Sequence, residues 1–158
     1  MSKSPIKSPL SEADKEITGN ALQATLVDLV DLSLIAKQAH WNVVGSNFRS
    51  AHLQLDELVN TARQYVDEVA ERANAIGVSP NGKAKTVVGS SGVPEFPDNW
   101  QSVESTVAAI VDILATLIER LRRRIDETDK SDLVTQDLLI EITRALEEAH
   151  WMWQAQQA

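Results

Sequence analysis

The chain has 158 residues, 43% hydrophobic and 24% charged, which is ordinary composition for one globular domain with a real core. It has no cysteine, which excludes disulfides, zinc–thiolate and iron–sulfur sites and suits a reducing cytosol. Its net charge of −8 disfavours nonspecific DNA binding by the body of the protein and favours attraction of cations. No apolar run approaches a membrane span, and no apolar core follows the N-terminal lysines as a signal peptide requires. A soluble, cytoplasmic protein is therefore expected.

Residues 1–11, MSKSPIKSPLS, read as a flexible polar tail carrying Lys3, Lys7 and two prolines, ahead of one helical domain over 12–158. Ser11 with Asp14 reads as an N-cap and an acidic first turn. The first helix then runs to about Trp41, with Leu22, Leu26, Leu29 and Ile35 as its stripe and Ala36 beside it. Gly45-Ser46-Asn47 breaks it. The second helix spans about Phe48 to Ile76, with Leu55, Leu58, Ala62, Tyr65 and Val69 as its apolar positions, and Gly77 ends it. Gly77 to Trp100 holds four of the six glycines and three of the five prolines, which marks it as one long connection. A short turn of helix is expected there, around Ala84 to Val88. The third helix starts near Asp98 or Asn99 and shows Val103, Val107, Ile110, Leu114, Leu117, Leu121 and Ile125 at alternating spacings of three and four. The fourth starts near Ser131 or Asp132, with Leu139, Ile142, Leu146, Ala149 and Trp153 inward. No stretch alternates as a strand, and no internal repeat is evident beyond the two helix pairs. Short links at both ends and a long middle link describe an all-α, ferritin-like four-helix bundle with a crossover between its second and third helices. A simple up-down bundle would not need that link.

The chemistry concentrates between Gln38 and Arg72. His40, His52, Asp56, Asp67 and Glu71 combine imidazole and carboxylate, a ligand set for first-row transition metals. His52 and Asp56 are i,i+4, as are Asp67 and Glu71, so each pair shares one face of a helix turn. Asp56 and Asp67 point to nearly the same side of the helix but lie roughly 16 Å apart along it, too far for one metal. Either the two pairs are unrelated, or the second meets the first of another copy across a two-fold axis, which forms the site twice. His40, on the end of the preceding helix, is close enough to complete it. A solvated acidic face with two satisfied histidines is the plainer reading of any one residue; the whole set favours a metal site. A di-iron site inside the bundle usually needs two Glu-x-x-His motifs. Only Glu147 to His150 fits, since Lys37 and Arg49 stand three residues before His40 and His52, so that motif reads as a chance match.

HWNVVGSNFRSAHLQLDEL, then VDEVAER, and later DLVTQDLL, closely resemble the signature of the Dps family, the DNA-binding proteins from starved cells, or mini-ferritins. The resemblance runs from about residue 20 to the end. It implies a hollow homododecamer with a di-iron ferroxidase centre at each dimer interface: His40, His52 and Asp56 from one subunit, Asp67 and Glu71 from its partner. Every ligand position is filled. It also implies that Fe(II) is oxidised, preferentially by hydrogen peroxide, and stored as ferric mineral, which protects DNA from oxidative damage. Hard carboxylates favour Fe(III) and neutral imidazole suits Fe(II). Two irons together can deliver two electrons to peroxide without releasing hydroxyl radical. Trp41 either orders the site or supplies an electron; packing under the helix turn is its plainer role. Among the acidic residues Asp126, Glu127, Asp129, Asp132 and Asp137, the family comparison makes Asp132 and Asp137 candidates for an iron-entry pore, and Asp132 equally a helix cap. Zinc is a competitor for such a site.

DNA binding is expected to be weak and salt-sensitive, or absent. The tail has only Lys3 and Lys7, and WMWQAQQA at the C-terminus has no base. The cluster Arg120, Arg122, Arg123 and Arg124 reads as intersubunit salt bridges or a solvated face. A nucleoid-compacting protein with secondary iron chemistry is the rival reading, and a structural bundle with a zinc-filled or empty site is the third.

Overall fold

The computed structural model describes residues 4–157. It contains α1 (Glu12–Asn42), α2 (Phe48–Ala75), a short α3 (Ala84–Ser90), α4 (Val103–Thr128) and α5 (Leu133–Gln154), closed by a 3₁₀ turn over Ala155–Gln157. Ser11 caps α1 by accepting the Asp14 N–H, and Asp132 caps α5 by accepting those of Val134 and Thr135. The α1–α2 link turns on two left-handed residues, Gly45 and Asn47. The long connection carries α3 where a short turn is expected.

One boundary differs from the sequence reading. Asp98 and Asn99 look like helix starters, yet α4 begins four residues later, after a Ser102 cap whose hydroxyl accepts the Ser105 N–H. Asn99 is left-handed, at φ 66°, and so turns the chain instead of starting a helix. Gln101 and Ser102 are then free to pair in parallel with Val43 and Val44, as two-residue strands β2 and β1. Two residues are too few to show alternation in a sequence. This small ladder pins the start of α4 beside the α1–α2 corner, where the histidines lie.

α1 packs mainly on α2, and α4 on α5. The core between the pairs is aliphatic, with Leu22, Leu29, Leu55, Ile110, Leu117 and Leu139 fully buried, and Trp153 closes one end. α2 ends in a Schellman motif: the Val78 N–H reaches the Ala73 carbonyl and the Gly77 N–H that of Asn74, both at 2.9 Å.

The arginine cluster departs only in part from the expectation of a solvated or intersubunit face: Arg122 and Arg123 are exposed, whereas Arg120 is partly buried and Arg124 buried. Arg120 and Arg124 turn inward onto Asp28 of α1, at 2.9 and 2.5 Å. Arg122 pairs with Glu147 of α5 instead. Asp28 has no solvent exposure and also accepts the Gly92 N–H at 3.1 Å, so one carboxylate ties α1, α4 and the crossover together. A side chain on Gly92 would run into the Arg120 guanidinium.

Candidate metal centre

His40 sits in the last turn of α1 and His52 in the second turn of α2, face to face across the corner. Their rings stack with centroids 3.6 Å apart. Each Nδ1 meets the other residue's backbone carbonyl, His40 Nδ1 to His52 O at 2.8 Å and His52 Nδ1 to His40 O at 2.9 Å. A carbonyl can only accept, so both Nδ1 atoms carry the proton and both Nε2 lone pairs remain for a ligand. This is the arrangement in which a backbone carbonyl fixes the tautomer and ring orientation of a metal-binding histidine. His40 is buried, at 8% exposure, and His52 is partly buried.

Asp56, one turn beyond His52, lies 3.4 Å from His40 Nδ1. Its Oδ1 is held at 2.5 Å by Lys37 Nζ, a residue that sequence reasoning passed over except as the wrong residue for a Glu-x-x-His motif. The Lys37 bond is the largest influence on this carboxyl and holds it below its ordinary pKa; partial burial opposes it, and the two imidazoles assist.

Asp67 and Glu71 are exposed, further along α2. Neither has a hydrogen-bond or ion-pair partner among the described residues. Among those residues no group of three or more His, Asp and Glu side chains is placed to hold a metal by itself. One chain thus carries two separate groups, His40, His52 and Asp56 at the α1–α2 corner and Asp67 and Glu71 toward the end of α2.

The remaining candidates fall into place. Trp41 is 67% exposed, so it does not pack under the helix turn as its plainer role supposes; it stands out beside His40. Asp132 is buried, accepts from Thr135 Oγ1 at 2.6 Å and pairs with Arg72 of α2 at 2.5 Å. Burial raises its pKa, but the Thr135 and Arg72 bonds outweigh that and leave it lowered. Asp137 is exposed on the second turn of α5. Glu147 pairs with Arg122 on the surface.

A ferritin-like domain model matches residues 19–158, and the chain is a protein of that class. It is 35% identical over 146 residues to a DNA protection during starvation protein of Mycolicibacterium smegmatis, covering 92% of this chain and 80% of that one. A similar likeness, 36% over 146 residues covering 92% and 77%, links it to the fine tangled pili major subunit of Haemophilus ducreyi. Among solved structures, Mycobacterium smegmatis Dps superposes with TM-score 0.92 at 34% identity over 99% of this chain and 94% of that one. DpsA14 from Streptomyces coelicolor gives 0.92 at 28% identity over 98% and 92%. The chain belongs to the Dps family, whose general role is iron storage and protection of DNA. No helix among the described residues is long and apolar enough to cross a membrane.

Proposed function

We propose that the protein is a ferroxidase that oxidises Fe(II) at centres shared between two subunits, uses hydrogen peroxide in preference to oxygen, and stores the ferric product inside a dodecamer. The observation that carries this is the reciprocal His40–His52 pair. It leaves both Nε2 lone pairs free at the α1–α2 corner, where no group of three or more His, Asp and Glu side chains among the described residues is placed to hold a metal by itself. In this reading the partner's acidic half supplies Asp67 and Glu71. Iron is the substrate: neutral imidazole takes Fe(II), and the added carboxylates stabilise Fe(III) as it forms. Two irons in one centre pass two electrons to one peroxide, so water rather than hydroxyl radical leaves. Asp137 is assigned to iron entry, with Asp132 fixing the start of its helix. Zinc competes for the same atoms. DNA binding stays weak because the tail carries few lysines.

Fe(II) added anaerobically to metal-free protein, followed by peroxide, tests this. Fast ferric absorbance with a soluble product and suppressed radical signal is expected; oxidation no faster than in buffer would overturn it. Lys37 supplies a finer check. An arriving cation must displace its ammonium from Asp56, so Lys37→Gln is expected to tighten Co(II) binding by about three- to tenfold in calorimetry. Unchanged affinity would mean that Lys37 does not compete with metal.

A further inference from the structure

The first residues of the described chain do more than trail from it. Lys3-Ser4-Pro5-Ile6 and Lys7-Ser8-Pro9-Leu10 form a tandem repeat of Lys-Ser-Pro-aliphatic, too short to show helical periodicity. The two serines make the same turn. Ser4 Oγ accepts the Ile6 N–H at 3.2 Å, and Ser8 Oγ accepts the Leu10 N–H at 3.1 Å. Leu10 then packs on the core, and Ser11 begins α1.

This segment is seated on the end of α2. Gly77, left-handed at φ 79°, is the C′ residue of the helix. A methyl group there would stand 3.0 Å from the Ile6 carbonyl oxygen, 3.4 Å from Ser4 Oγ and 3.7 Å from the Ser8 nitrogen. On α1, a methyl at Gly19 would stand 3.0 Å from a Val78 methyl. The two glycines thus let the end of α2 be gripped by α1 through Val78 and by the tail over Gly77.

That end of α2 carries the acidic half of the centre. Glu71 lies six residues before Gly77, roughly 9 Å along the helix. The histidine half is fixed by two reciprocal hydrogen bonds, whereas Asp67 and Glu71 have no such partners among the described residues and take their position from the helix alone. We infer that residues 4–10 act as a strap that holds the C-terminal turns of α2 and thereby sets the metal affinity of the acidic half. Seated, the strap keeps the last turns from fraying; lifted, it lets them open locally and costs metal affinity. This rests on the shared-centre reading for its second clause only.

The test compares four full cages: wild type, Gly77→Ala, a chain shortened to begin at Leu10, and the shortened chain with Gly77→Ala. Amide exchange is read over Ala73–Val78, and Co(II) affinity by calorimetry as a probe that does not turn over. Loss of the strap is expected to speed exchange there by about tenfold or more and to weaken Co(II) binding by about three- to tenfold. Gly77→Ala should reproduce most of this in the full chain and add less in the shortened one, because the steric part of its effect needs the strap. Equal exchange in wild type and shortened chain would overturn the strap. Faster exchange with unchanged Co(II) affinity would overturn its coupling to the centre. A wild type that takes up no Co(II) would sink the shared-centre reading and the coupling with it, while the exchange data still decide whether the tail grips α2.

Discussion

Replacing His52 and Asp56 together by alanine is expected to lower the rate of Fe(II) oxidation to that of buffer while the cage still assembles. Both side chains lie at the α1–α2 corner, and neither belongs to the aliphatic core. Loss of His52 removes one Nε2 and also the Nδ1–H that reaches the His40 carbonyl, so the remaining imidazole loses its stacked partner. Loss of Asp56 removes the carboxylate beside it. A drop of at least about a hundredfold is the scale on which outer partners alone already cost metal sites tenfold to a hundredfold. Stopped-flow oxidation with sizing of the same sample checks it, and an unchanged rate in an intact cage would place the centre elsewhere.

The largest effect on stability is expected at Asp28, far from the chemistry. Asp28→Ala should cost about 3–5 kcal/mol, because it strands the buried Arg124 guanidinium and removes the partner of the partly buried Arg120. Arg124 is the more exposed to this penalty, since its side chain is only 7% accessible. The crossover also loses the Gly92 anchor. The same carboxylate predicts an acid limb. Burial raises its pKa, but Arg120, Arg124 and the Gly92 N–H outweigh burial and hold it below the ordinary carboxylate value. A depressed folded-state pKa adds stability above the unfolded value of about 3.9 and loses it as pH falls through the folded value. Urea unfolding at fixed protein concentration should therefore show stability falling below about pH 4 in wild type and a shallower fall in Asp28→Ala. Parallel pH profiles would mean that the buried triad is not the source.

Much of this molecule is legible from residue spacing. Ser11, Asp132, Gly45 and Gly77 mark helix ends by local chemistry, and each lies where that chemistry acts. The end of α2 and the start of α5 follow for the same reason. The start of α4 is misread because Asn99 offers two local solutions, a cap or a left-handed turn, and the choice is made by pairing with Val43 and Val44, distant in sequence. Asp28 and Arg124 are charged residues standing on otherwise apolar stripes, Leu22-Leu26-Leu29 and Leu117-Leu121; their opposite signs on two inward faces were the available signal. For the proposed centre, the candidate residue types and their spacing are what the sequence displays. The reciprocal imidazole–carbonyl bonds cannot be read from it, since they depend on how tightly α1 and α2 meet, and nor can the grip of Lys37 on Asp56, nineteen residues away.

The central claim is that neither chain is complete without another. Mixed cages of the His52→Ala/Asp56→Ala chain with an Asp67→Ala/Glu71→Ala chain test it most directly. In a mixed dimer one interface centre combines two damaged halves and the other two intact ones. Each parent cage is expected to be inactive, and verified mixed cages should recover about a quarter of wild-type oxidation, since random pairing makes half the dimers mixed with one intact centre of two. Mixed cages as inactive as their parents would contradict the shared centre.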